Sequence, residues 1–300
     1  MSLKIVIPGA DFSGLGNPKV ESLIEGLPAD NLAALYLFDT GVEGAAWAGP
    51  AVDKSGFGRD APLVAASTAL KSAGGVNNGA VANEGFAVLT PVGISSKFTV
   101  FGVSRNNLPA SAAVSTTLMP WSSSGDWAAP LAPSVSDGTA GAAAQATAGR
   151  FQLNQQNFVS TSTGNFAEMG VYATAANVST GWAGATARQD VRNAAAAKGS
   201  WIAWALSFDA AVGYTLRGIG SSVIVTGAAA DAAIWLARQT SVGGRHIFGA
   251  PAYLSDPDNV RGEMALAGIY DGVAKSVADM DVLLARVKTK LAARIGATIL

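Results

Sequence analysis

The chain has 300 residues, of which 20 are Lys or Arg and 21 are Asp or Glu, giving a formal net charge of −1 at pH 7. That balance provides no basic field to neutralise phosphates and speaks against nucleic-acid binding. With no Cys and one His, the sequence has no disulfide framework, thiol nucleophile, thiolate metal site or paired-His metal site, and at most one His-based catalytic system.

The hydrophobic fraction is 49%, but much of it is Ala, and 35 Gly interrupt the apolar runs. No stretch of about 18 strongly apolar residues occurs, so no membrane-inserting helix is expected. At the start, Leu3–Ile7 is a short strand candidate that Pro8 and Gly9 break before it could serve as a signal-peptide core. Synthesis in the cytoplasm without an export signal is the expectation. Residues 1–31 are poor in large apolar side chains, with only a weak helical stretch at Val20–Glu25, and read as an arm or attachment segment. The domain proper then runs over 32–300.

Leu32–Thr40 is the first strong strand, followed by the turn-rich loop DKSGFGRDAPL at 53–63. Further strands are expected at Gly85–Leu89, Lys97–Ser104, Thr116–Pro120, Arg150–Asn154, Glu168–Thr174, Gly199–Asp209, Tyr214–Ile219, Ala233–Ala237 and Glu263–Tyr270. In Lys97–Ser104, Phe98 and Val100 share one face while Phe101 and Val103 share the other, as in a strand buried between layers. Ser200–Asp209 reads the same way. The Ala/Gly/Ser-rich stretches 110–117 and 138–149 read as loops within the fold, and 186–198 as a short helix on propensity. At the end, Ser276 and Asp279 form a capping-box-like start to a helix over 276–295. Val277, Met280, Leu283, Leu284, Val287 and Leu291 make its apolar stripe, and basic residues load its later turns. Many short strands with one terminal amphipathic helix predict an all-β, two-sheet antiparallel sandwich.

Of seven Trp, Trp201 and Trp204 stand three apart in one strand and so face opposite sides, and Trp235 reads as core. Trp47, Trp121, Trp127 and Trp182 lie in sequence rich in Gly, Ser, Ala and Pro. Two readings fit them equally: platforms on which sugar rings stack, or rings packed at a subunit interface. His246 lies between Arg245 and Ile247 and reads as a hydrogen-bonded loop histidine, since no G-x-S-x-G accompanies it. Glu168 is the lone acid of its strand candidate, and Asp209 and Glu263 stand at strand ends where turns favour acids.

Three segments, LYLFDTG (35–41) with DKSGFGRDAPL (53–63), GSWIAWALSFDAAVGYTLRGIG (199–220) and GEMALAGIYDGVAKSVADMDVLLARV (262–287), resemble in order the concanavalin A-like lectin/glucanase domains of the laminin-G/pentraxin form. The resemblance implies a jelly-roll sandwich. Residues 7–20, IPGADFSGLGNPKV, are similar to the leaders of tailed-bacteriophage virion proteins. Together these imply a non-enzymatic virion protein, on the particle surface or tail, that adheres to host-surface glycans. It would attach to other virion proteins through its N-terminal arm and assemble as a homo-oligomer, with a trimer favoured. A purely structural decoration or tail component is the alternative. The Glu-x-Asp-x-x-Glu strand pattern of glucanases of this fold is missing, which makes a glycoside hydrolase the weakest reading. No cofactor is expected. Calcium, which related lectins hold through Asp and Asn oxygens, has candidate ligands in Asp53 and Asp60 and in Asp256 and Asp258; Asx-turns explain the same residues without metal.

Overall fold

The computed structural model describes residues 27–63, 69–77, 87–105, 116–124, 150–160, 164–174, 185–193, 199–218, 225–228, 232–233, 236, 244–249 and 262–300. In chain order the strands are β1 (Leu32–Leu37), β2 (Leu70–Lys71), β3 (Val76–Asn77), β4 (Ala87–Gly93), β5 (Lys97–Arg105), β6 (Thr116–Ser124), β7 (Arg150–Ser160), β8 (Gly164–Thr174), β9 (Ala185–Asn193), β10 (Ile202–Asp209), β11 (Gly213–Gly218), β12 (Val225–Ala228), β13 (Arg245–Gly249) and β14 (Glu263–Asp271). One long helix, α1 (Val277–Ile295), follows.

The strands form an eight-stranded sheet of order β12-β11-β10-β5-β14-β3-β2, with β1 also on β14, and a six-stranded sheet of order β4-β13-β6-β7-β8-β9. All the strand ladders are antiparallel. The fold class is therefore the expected all-β, two-sheet sandwich with a C-terminal amphipathic helix.

Strand periodicity explains how the eight-stranded sheet is covered on both sides. Phe98 and Val100 of β5 and Trp204, Leu206 and Phe208 of β10 pack in one cluster with Val88, Trp121, Leu153 and Phe248 of the other sheet. Phe101, Val103, Ala203, Ala205 and Trp201 lie in a second cluster with Met280, Leu283, Leu284, Val287 and Leu291 of α1. Trp204 thus lies between the sheets and Trp201 lies on the helix side, as their spacing requires. Gly102 makes room for this: a Cβ there would stand 2.6 Å from the Trp204 ring and 2.8 Å from the Leu266 carbonyl oxygen.

The helix obeys its sequence signals. Ser276 accepts the Asp279 N–H at 3.2 Å, its hydroxyl donates to Asp279 Oδ2 at 2.6 Å, and Gly296 closes the last turn at φ 67°. Arg217 of β11 holds Asp281 at 2.6 Å, and Arg294 holds Asp39, just past β1, at 3.0 Å, so both ends are tied to the sandwich. Five fully buried apolar side chains, at about 1.5–3 kcal/mol each, fix the helix to the sandwich.

Three expectations are corrected. The segment expected as a short helix from 186 is strand β9, which pairs with β8 from Ala167↔Asn193 to Thr174↔Ala185. Sheet pairing there overrides a modest helix propensity. Ala233–Ala237, expected as a strand, instead has helical backbone at residues 232, 233 and 236. The His246 segment is strand β13 rather than a loop, and the hairpin β2–β3 was not foreseen because each of its strands has only two residues. Most of the arm, residues 1–26, lies outside the described residues, as do the loop stretches 138–149 and Trp235; Leu27 and Leu32 are already buried on the helix side.

Candidate functional site

Two of the four tryptophans singled out as sugar platforms or interface rings are described, and both are buried. Trp121 belongs to β6 and is fully buried between the sheets, because β6 runs four residues beyond the expected end at Pro120. Its ring packs 5.8 Å from that of Phe98, and its Nε1 donates to His246 Nδ1 at 3.2 Å. Trp47 packs against Phe38 at 6.0 Å and donates from Nε1 to Thr40 Oγ1 at 3.3 Å. A ring enclosed in this way cannot offer a face to a sugar without local opening, so Trp47 and Trp121 are corrected from candidate sugar platforms to core rings. Trp127 and Trp182 lie outside the described residues.

His246 is fully buried and hydrogen-bonded, though in a strand. Accepting at Nδ1 leaves the ring proton on Nε2. Burial pushes the pKa down to about 3, against a smaller opposing effect of the Gly93 backbone. The ring sits where β13 meets a bulge in β4: Arg245 pairs with Gly93 and Ile247 with Leu89, so Thr90, Pro91 and Val92 crowd opposite one residue. Pro91, lacking an N–H, suits that interruption. A neutral imidazole locked in the core is not placed to act as a catalytic base on an external substrate.

Loop 53–63 is organised by hydrogen bonds to its two acids. Asp53 Oδ1 accepts the backbone N–H groups of Leu35 at 3.0 Å and Ser55 at 2.8 Å, while Oδ2 accepts the Ser55 hydroxyl at 2.8 Å and the Arg59 N–H at 3.0 Å. Burial alone would raise its pKa, but these donors outweigh it and hold the carboxyl below the usual range. Asp60 Oδ1 accepts the Asp53 N–H at 2.8 Å, Arg59 Nη1 donates to the Ala33 carbonyl at 3.0 Å, and the Tyr36 hydroxyl donates to the Arg59 carbonyl at 2.8 Å. Burial, reinforced by Asp53, pushes the Tyr36 phenol up, which keeps it a neutral donor.

This arrangement does not fit calcium at Asp53. Both Asp53 oxygens face N–H and O–H donors, and a cation would have to displace them. Among the described residues no three His, Asp or Glu side chains gather as a metal site. Asp256 and Asp258 lie outside the described residues.

The other acids singled out in the sequence sit in structural bonds. Asp209 accepts Lys97 Nζ at 2.8 Å, and that contact holds its carboxyl below the usual range. Glu263 is buried, held by Arg105 Nε at 2.7 Å and Nη2 at 2.6 Å and by the Ser72 hydroxyl. The Arg105 guanidinium lies 4.7 Å over the Trp201 ring. Lys71 Nζ donates to the carbonyls of Ser72 and Gly75, closing the hairpin. The strand β9, missed in the sequence, changes the position of Glu168. In register Glu168 stands opposite Arg192 and Gly170 opposite Asp190, so Glu168 and Asp190 occupy diagonal positions on one face of the β8–β9 ladder.

No protein-family model matches the sequence, and no curated protein is similar to it. Among solved structures, the serotype D botulinum neurotoxin ligand-binding domain in complex with N-acetylneuraminic acid overlaps at a TM-score of 0.45 and 8% identity, covering 88% of this chain and 52% of that one. The serotype D binding domain gives 0.48 at 9% identity, covering 88% and 52%. The binding domain of neurotoxin DC in complex with rat synaptotagmin II gives 0.47 at 10% identity, covering 86% and 52%. The chain spans about half the length of these solved chains, and at such TM-scores the likeness carries no argument about ligand or activity.

Proposed function

We propose that this protein is a non-enzymatic adhesin whose sandwich presents a binding surface to host-surface glycans, on the particle or tail of a tailed bacteriophage. The observation that carries the reading is the loop 53–63, held rigid by a buried carboxylate that receives four hydrogen bonds. A surface loop fixed in advance loses little entropy on binding, and binding residues concentrate on loops positioned by rigid scaffolds. The similarity of residues 7–20 to phage virion leaders supports the setting and attachment through the arm, and the symmetry of a virion favours a trimer.

The deciding experiment is binding of purified full-length protein to a glycan array and to whole bacterial cells, with calcium and with EDTA. Saturable binding supports the adhesin. No binding to any glycan or cell supports the structural decoration. Loss in EDTA would place a calcium in segments other than the Asp53 loop.

A further inference from the structure

The loop 53–63 holds out one aromatic ring. Phe57 is 64% exposed, at the turn between Gly56 (φ 91°) and Gly58 (φ 67°). Left-handed backbone on both sides needs glycine, and neither position has an atom within 4 Å of where a Cβ would stand. The Arg59 guanidinium lies 5.3 Å from the ring centroid, steadied by its own bond to the Ala33 carbonyl. Asp60, exposed beside it, has its Oδ1 on the Asp53 N–H.

A solitary exposed Phe usually needs no explanation. Here the hydrogen bonds to Asp53, Asp60, Arg59 and Tyr36 converge on the segment that carries it, so the ring's position is held by the fold. The surroundings select the ligand class. Lys54 and Arg59 are balanced by Asp53 and Asp60, so no excess of cation exists for a phosphate chain. The other exposed large apolar residues among those described, Val42, Val212 and Val282, lie on separate segments of the chain. One ring without a polybasic patch is too little for membrane anchoring. An exposed aromatic ring with a guanidinium over it, and an exposed carboxylate three residues on in the same loop, suits a ligand with an apolar face and a rim of hydroxyl groups.

We propose that Phe57 is the stacking platform for a pyranose ring of a surface saccharide, with Arg59 and Asp60 hydrogen-bonding its hydroxyl groups. The C–H groups of one sugar face meet the electron-rich face of the ring, while the guanidinium donates and the carboxylate accepts at the rim. The assignment rests on the adhesin reading and locates its contact surface.

The test compares full-length wild type, Phe57→Ala and Phe57→Trp on a printed panel of oligosaccharides and bacterial surface polysaccharides, and on phosphatidylcholine vesicles. Exposure of Phe57 predicts that all three melt alike. Expected is binding weakened about tenfold or more in Phe57→Ala and kept or strengthened in Phe57→Trp, as loss or enlargement of a stacking face requires. If wild type binds saccharides and Phe57→Ala binds them equally well, this site is overturned while the adhesin stands. If wild type binds none of the panel, both readings fall. Vesicle binding that disappears in Phe57→Ala would overturn the sugar assignment in favour of a lipid surface.

Discussion

Replacing His246 with Asn should make the protein less sensitive to acid while making it less stable at neutral pH. Asn keeps an acceptor near the position of Nδ1 for Trp121 Nε1 but removes the titrating ring. The folded pKa of about 3 lies well below the ordinary 6.5, because the buried ring resists charge. Between those values the unfolded chain binds a proton that the folded chain does not. The contribution of the neutral ring is therefore full above about pH 6.5 and is lost as pH falls towards 3, at up to about 1.36 kcal/mol per pH unit. Between pH 7 and 5 the wild type should lose about 2 kcal/mol more than the Asn variant. At pH 7 the variant should start about 1–2 kcal/mol lower, since it forfeits the edge contact between the His246 and Phe98 rings at 4.9 Å. The two should then converge near pH 5. Asp53, Asp209 and Asp279, whose carboxyls are held below the usual range, lose their contributions only at lower pH and do so in both proteins. Urea unfolding at pH 7, 6, 5 and 4.5, with each midpoint converted through the common slope, isolates the difference. Parallel pH profiles would refute a buried neutral histidine.

Trp121→Ala should lower stability by about 3–5 kcal/mol, as expected of a fully buried aromatic ring, and any loss of ligand binding should track unfolding; binding lost at an unchanged melting temperature would contradict its core position. Asp53→Asn puts an amide donor among donors at the Leu35, Ser55 and Arg59 amides and should cost about 2–3 kcal/mol, unchanged by calcium or EDTA, in urea unfolding. Leu284→Ala should cost about 2–5 kcal/mol, whereas the exposed Arg286→Ala on the same helix should stay within about 0.5 kcal/mol; equal effects would argue against burial of this face.

The legible parts of the fold were those where one pattern decided the outcome. The alternation in β5 and β10, apolar on both faces, announced a sheet covered on both sides, and Ser276 with the stripe from Met280 to Leu291 announced the helix that covers one of them. The hidden parts depended on partners distant in sequence. Residues 186–193 have a helix former's composition, yet their alternation matches β8, and pairing along nearly the whole ladder decides the matter. His246 and Trp121 are separated by 125 residues, and no local signal says that one caps the other in the core. Composition hides the place of Trp121, since Ser122, Ser123 and Ser124 follow it, but those serines continue a strand whose register runs to Phe151. The same limitation worked in the opposite sense at the loop 53–63, where D-x-S-G-x-G was read as a set of turns and its acids as candidate metal ligands. Asp53 instead uses both oxygens to gather backbone amides from two segments, and the residue presented by that arrangement, Phe57, has no side-chain chemistry that a search for acids, histidines and tryptophans would single out. A binding surface built from an ordinary Phe becomes visible only when the hydrogen bonds beneath it are traced, which makes the comparison of Phe57→Ala with Phe57→Trp a more discriminating test than substitution of the buried Trp47 or Trp121.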